Sequence, residues 1–179
     1  MSNFLINPYI SFPADDCTDI AWNTGAASGM VFSTTTTTND TCTRASSAGT
    51  KWSGTDLSGN PTSSKLTACF KFSANDTDDY NMPTFMPTNS ADTWISGNSF
   101  GAYPKNNGTV APYSGTADET PFSADAGDTI KMEIDTEARI YKNGVLQFTW
   151  DETPSNATYY FQTIAGTQTG TATQSVQLV

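Results

Sequence analysis

A chain of 179 residues with 36% hydrophobic and 12% aromatic side chains can bury a real core, which argues against disorder, and its length fits one domain, residues 1–179. The formal net charge of −10, from 8 Lys and Arg against 18 Asp and Glu, argues against a nucleic acid or an anionic membrane as partner. No run approaches a membrane span, and the absence of histidine removes the commonest general base and the commonest transition-metal ligand.

The first stretch, MSNFLINPYISF, has no basic region, and Asn7 and Pro8 interrupt its apolar run. It does not read as a signal peptide, so the product is expected either to be made and used without secretion or to leave the cell by another route, such as lysis. Phe4, Leu5, Ile6, Tyr9, Ile10 and Phe12 give residues 4–12 an apolar surface, and Pro8 confines them to an edge strand or an arm. The plainer reading pairs this segment with the last strand. The sharper one makes residues 1–12 an arm that attaches to a neighbouring subunit.

Residues 15–29 are turn-rich. Met30, Val31 and Phe32 begin a strand that leads into the threonine run 34–38, where β-branching favours extended backbone. Residues 41–64 are rich in Ser, Gly and Thr and are expected to form a long loop around Trp52. Residues 65–72 make the clearest inner strand: Leu66, Ala68, Phe70 and Phe72 share one face, and Thr67, Cys69 and Lys71 the other. Residues 75–92, with Pro83 and Pro87, are expected to be a loop. Short strands follow at Trp94-Ile95, 99–103 and 109–113, with a turn at 105–108. Cys17, Cys42 and Cys69 are odd in number and not closely spaced, which argues against a disulfide framework and a zinc site. Cys69 is expected to be an inert, partly buried thiol.

Residues 127–150 organise the rest. Ile130, Met132 and Ile134 alternate with Lys131, Glu133 and Asp135, which sets one face on a core and one in water. Asn143-Gly144 is a strong hairpin signal, because a type I′ turn needs positive φ at both central positions. Counting back from it pairs Tyr141 with Leu146 and Arg139 with Phe148, and places Tyr141, Leu146, Phe148 and Trp150 on one face. Residues 151–156 read as a turn, 159–164 as a strand, 166–170 as a turn and 175–179 as a final strand with Val176 and Leu178 on one side. Nothing shows helical periodicity over about ten residues or more. Short strands separated by turn signals predict an all-β, antiparallel two-sheet sandwich.

The succession Gly-Asp-Thr-Ile, Glu-Ile-Asp, Arg-Ile-Tyr-Lys-Asn-Gly-Val-Leu, Tyr-Tyr-Phe and Ser-Val-Gln-Leu over residues 126–179 resembles the closing half of concanavalin A-like lectin/glucanase domains. That resemblance implies a jelly-roll sandwich, a fold that hosts lectins, hydrolases and inert structural modules. The opening FLINPYISF is similar to the openings of some phage particle proteins. Laminarinase-type glucanases carry a Glu-x-Asp-x-Glu strand like Glu133, Asp135 and Glu137. In that family the first Glu is the nucleophile and the last the acid/base. Here the motif directly precedes the Tyr-Lys-Asn-Gly hairpin, where the family places a different strand. The solvated face of an amphipathic strand is the preferred reading, so no catalytic residue is assigned.

Trp52, Tyr80, Trp94, Tyr103 and Tyr113, in or near loops, are candidates for stacking on sugar rings; the plainer reading is packing or subunit contact. Asp76, Asp78 and Asp79 match no calcium loop and read as a solvated acidic loop. The triplets at Asn39, Asn75, Asn107 and Asn156 have the glycosylation pattern and, without a signal peptide, are expected to stay unmodified. No cofactor or metal is implied. The sequence is read as a non-enzymatic virion surface protein that decorates or cements a capsid or forms part of a fibre or knob. Its expected partners are the major capsid or other virion proteins and further copies of itself. The alternative is a glycan-binding, lectin-like module for host recognition, with a glucanase as the more remote reading.

Overall fold

The computed structural model describes residues 17, 20–28, 30–32, 41–44, 51–73, 81–88, 97–105, 107–115, 118–165 and 175–179, and only the backbone of 23–28, 30–32, 41–44, 51–53, 165 and 175. Among these residues are strands and turns but no helix. One seven-stranded sheet, A, runs in the order β1 (Trp22–Ser28), β4 (Lys51–Gly59), β13 (Tyr159–Ala165), β6 (Asn81–Met86), β7 (Phe100–Lys105), β8 (Thr109–Tyr113), β9 (Phe122–Ser123). The other seven-stranded sheet, B, runs β12 (Val145–Thr149), β11 (Ala138–Lys142), β10 (Ile130–Ile134), β5 (Leu66–Phe72), β14 (Ser175–Leu178), β3 (Thr41–Arg44), β2 (Met30–Phe32). Neighbouring strands pair antiparallel throughout, as in β10 with β5 and β13 with β6. The predicted all-β antiparallel sandwich is therefore the observed one.

The period of two predicted for β5, β10 and β14 holds on the core side. Leu66, Ala68, Phe70 and Phe72, then Ile130, Met132 and Ile134, then Val176 and Leu178 are all buried in one cluster. Sheet A answers with Phe85, Phe100, Ala102, Val110, Tyr159 and Phe161. Phe161 stacks on Phe70 across the gap, ring centroids 6.0 Å apart, and tilts against Phe85 at 5.0 Å. Each such side chain contributes about 1.5–3 kcal/mol on burial.

The hairpin turn forms as expected: Asn143 and Gly144 have φ of 49° and 79°. Asn143 also reaches out of the turn. Its Oδ1 accepts from the Thr129 amide at 2.9 Å, and its Nδ2 donates to Asp128 Oδ1 at 2.7 Å. The tip of β11–β12 is thus fixed to the loop that feeds β10.

Four expectations are corrected. Tyr141 does pair with Leu146, but the register then shifts, so Ile140 faces Phe148 and Arg139 faces Thr149. The extra residue, Gln147, turns the strand over. Phe148 and Trp150 go to the core side while Leu146 stays 51% exposed, so the four aromatic and aliphatic residues do not share a face. Residues 22–28 are strand β1, not turns. The supposed loop 41–64 contains β3 and the nine-residue β4, paired on both sides. The supposed loop 75–92 contains β6, buried along its whole length. Its Pro83 sits opposite Thr163 of β13, and on its other side β7 pairs only with Thr84 and Phe85, so the proline lies where β6 is paired along one edge alone. The expected strand at 94–95, the threonine run 34–38, the turn at 166–170 and the segment 4–12 lie outside the described residues.

Candidate functional site

Two surfaces carry polar or aromatic side chains that the core does not explain, one on the outer face of each sheet.

On sheet B the alternation that buries Met132 turns Glu133 outward. The expectation of a solvated Glu133 is corrected: only 7% of its side chain is exposed. Lys131 Nζ lies 3.0 Å and Lys65 Nζ 3.4 Å from Glu133 Oε1, and Arg139 Nε lies 3.9 Å from Oε2. Burial pushes the carboxyl up, but hydrogen bonds from Lys131 and Tyr141 and the charges of Lys131 and Lys65 outweigh it and hold Glu133 below its ordinary value. Burial likewise raises Asp135, and the Glu137 amide and Arg139 overcome it, so Asp135 also stays ionised at lower pH than usual. The Glu137 amide donates to Asp135 Oδ1 at 2.9 Å, which closes the β10–β11 turn. Glu137 itself is 60% exposed in that turn, 3.3 Å from Arg139 Nη1. A retaining glycosidase needs one carboxyl pushed up to act as acid and a second poised beside it. Here Glu133 and Asp135 are pushed down and neutralised by cations. The arrangement braces strands β5, β10 and β11.

The same face holds an unexpected covalent link. Cys69, wholly buried, is bonded to Cys17 across 52 residues of sequence. The argument from number and spacing against a disulfide framework, and the expectation that Cys69 is an inert, partly buried thiol, are corrected. Sequence spacing could not show the bond, because only the fold brings residue 17 onto β5. The side chain of Cys42, on β3, lies outside the described residues.

Sheet A presents a different face. Residues opposite one another in register point the same way, so Ile164 beside Met82 and Tyr160 beside Met86 lie on its outer side. Met82, Met86 and Ile164 form a buried apolar cluster separate from the main core, with Tyr103 and Tyr113 packed against it. Gln162, on this face and fully buried, donates Nε2 to the Thr88 carbonyl at 3.2 Å, while its Oε1 has no hydrogen-bond partner.

Of the five proposed sugar-stacking aromatics, the structure brings together Tyr103 and Tyr113, ring centroids 6.2 Å apart and tilted by 54°. Both sit on strands, β7 and β8, not on loops. Trp52 is also on a strand, opposite Ile164 in register; only its backbone is described. Tyr80 and Trp94 lie outside the described residues, as do Asp76, Asp78, Asp79, Asn39, Asn75 and the attachment residues Phe4, Leu5, Ile6, Tyr9, Ile10 and Phe12. Asn107 and Asn156 are exposed, the first accepting from the Thr109 hydroxyl at 2.6 Å, the second from Asn60 at 2.6 Å.

Sequence reasoning missed two partners of the tyrosine pair. Lys105 Nζ lies 4.0 Å above the centroid of Tyr103 and forms an ion pair with Asp118. Asp118 arrives through an isolated bridge to Tyr113. The available signal was the spacing of Tyr103 and Lys105, two apart on one strand and so on one face.

No family model matches the sequence, and no curated protein is significantly similar to it. Solved structures do match in shape. The TRIM65 PSpry domain superposes with a TM-score of 0.61 at 9% identity, covering 90% of each chain. The SPRY domain of human HERC1 gives 0.57 at 12% identity over 88% of this chain and 96% of that one. The carbohydrate-binding module CBM66 from Bacillus subtilis gives 0.54 at 13% identity over 90% and 93%. The fold is a concanavalin A-like jelly roll. It also occurs in the Emp47p carbohydrate recognition domain, in an alginate lyase and in a carbohydrate esterase of a Shiga toxin-encoding bacteriophage. Binding domains and enzymes thus share the architecture, and function has to be argued from the site.

Proposed function

We propose that the chain is a non-enzymatic binding module that recognises a glycan along the Tyr103–Tyr113 edge of sheet A. The observation that carries this reading is the half-buried tyrosine pair, assembled by two strands on an outer face and flanked by a lysine and an aspartate. Aromatic faces pack against the apolar faces of sugar rings, and charged groups beside them hydrogen-bond hydroxyls. The shared fold with CBM66 and the Emp47p carbohydrate recognition domain supports it. Glu133 and Asp135, ionised and enclosed by cations, supply no acid for hydrolysis. A glycan array probed with the whole chain tests this: binding that Tyr113→Ala abolishes is expected, and an array without signal above background would remove the reading.

A second reading, compatible with the first, makes the chain a virion surface protein acting through protein contacts with capsid proteins or with further copies of itself. Val145 and Leu146, 56% and 51% exposed at the start of edge strand β12, favour it, because exposed neighbouring aliphatics suit a protein interface. Its test is the copy number of the chain in purified particles: many copies per shell position fit decoration, a few fit a fibre, and none would discard it.

A further inference from the structure

Asn-Gly occurs twice in the chain, at Asn107-Gly108 and Asn143-Gly144. The pair is chemically labile, because glycine has no Cβ to shield its nitrogen from the preceding carboxamide. Both pairs lie in the turns of hairpins, β7–β8 and β11–β12, yet their side chains are held differently. Asn143 is clamped at both ends of its carboxamide. Its Oδ1 accepts from the Thr129 amide at 2.9 Å, and its Nδ2 donates to Asp128 Oδ1 at 2.7 Å. Its backbone N–H also donates to the Thr129 carbonyl, at 2.8 Å. Turning the carboxamide onto the Gly144 nitrogen would break both side-chain bonds, one of them to a carboxylate. Asn107 is exposed, and its carboxamide reaches across Gly108 instead, where Oδ1 accepts from the Thr109 hydroxyl at 2.6 Å. Among the described residues its Nδ2 has no hydrogen-bond partner.

We propose that Asn107 is a self-modifying site, which deamidates in the folded chain through attack by the Gly108 nitrogen, while Asn143 stays intact. The Gly108 nitrogen gives its proton to solvent base and bonds to Asn107 Cγ. Oδ1 carries the developing negative charge, and the Thr109 hydroxyl already donates to that oxygen. The Cγ–Nδ2 bond then breaks, and the nitrogen leaves as ammonia with a proton from water. Water opens the resulting cyclic imide at either carbonyl, which leaves aspartate or isoaspartate at position 107. The net change is amide plus water to carboxylic acid plus ammonia. The new carboxylate sits two residues from Lys105, the partner of Asp118, and adds a negative charge to a chain already at −10. The isoaspartyl form also lengthens the backbone of a turn whose Gly108 carbonyl accepts from the Ala124 amide at 2.9 Å, just beyond β9. None of this depends on what the chain binds.

The test incubates the full chain in mildly alkaline buffer, folded and urea-unfolded, and follows both sites by isoelectric focusing and peptide mass mapping. Unfolded, the two pairs are expected to react at similar rates. Folded, Asn107 should convert about tenfold or more faster than Asn143, whose reaction must first break a charge-assisted hydrogen bond. Thr109→Val, which keeps the shape and removes the hydroxyl, should slow Asn107 about fivefold. Asp128→Ala should release Asn143 and raise its rate toward that of Asn107. Thermal melts identify the variants that are folded during incubation. In the folded chain, Asn143 converting as fast as Asn107, or Asn107 not converting at all, would overturn the proposal. A wild-type rate in folded Thr109→Val would overturn the role of the hydroxyl, and an unchanged Asn143 in folded Asp128→Ala would overturn the clamp.

Discussion

The outer faces of the two sheets are built by the same rule of alternation and end in opposite states. On sheet B the outward residues of β5, β10 and β11 include a buried glutamate, three cations around it and a disulfide. On sheet A the outward residues include an apolar cluster of Met82, Met86 and Ile164 beside a buried Gln162, with tyrosines left partly exposed at the edge. The lesson is that a carboxylate-rich strand does not imply catalysis. Where cations are available to satisfy them, charges spend their free energy on each other and brace the sheet. Aromatic rings left with part of a face in water keep the capacity to bind.

This contrast is sharpest if sheet B variants lose stability while the tyrosine edge keeps its ligand. The largest effect is expected from Cys69→Ser. Losing a bond that spans 52 residues should cost about 2–4 kcal/mol and lower the Tm, while glycan binding at temperatures where the variant is folded persists. Loss of binding in the folded variant would show the two faces to be coupled. Next is Glu133→Gln, which leaves Lys131 and Arg139 without their buried counter-charge. A cost of about 1–3 kcal/mol is expected in denaturant titration, and an unchanged midpoint would break the bracing argument.

The pH dependence follows from the same groups. Glu133 and Asp135 titrate below their ordinary values of 4.5 and 3.8 in the folded chain. Their contribution is therefore complete above those ordinary values and is lost as pH falls through the depressed ones. Tm should be insensitive to these two groups above about pH 5 and should fall below it, with a shallower fall in Glu133→Gln. A wild-type Tm that rises on acidification would contradict the sign. A smaller effect is expected at the hairpin. Gly144 has φ of 79°, and a Cβ there meets nothing within 4 Å, so Gly144→Ala should cost about 1–2 kcal/mol from backbone strain alone. The smallest stability change belongs to Tyr113→Ala, at a half-exposed edge. There the readout is binding, and a large fall in Tm with binding intact would reverse the assignment of the two faces.

Legibility varied along the chain for physical reasons. Strands β5, β10 and β14 announced themselves because large apolar residues at every second position leave one way to bury them. Strand β4 did not. Its KWSGTDLSG has small and polar residues at most positions, and pairing on both sides by β1 and β13 makes it a strand. Strand β6 was concealed by Pro83, which the fold places opposite Thr163 of β13 where β7 has no pair. At the candidate site, Tyr103 and Tyr113 were named from residue type. Their meeting needed the β7–β8 register, and the roles of Lys105 and Asp118 needed a bridge that no spacing reveals.

The sequence by itself determined the class of fold, the inward set of the central strands and the Asn143-Gly144 turn, because alternation and backbone φ act over a few neighbouring residues. The tertiary structure alone decided which outward residues meet across strands. It completed the brace at Glu133 with Lys65, joined Cys17 to Cys69 and brought Ile164 into one cluster with Met82. Those outcomes depend on pairings tens of residues apart, where register, not composition, fixes the partner.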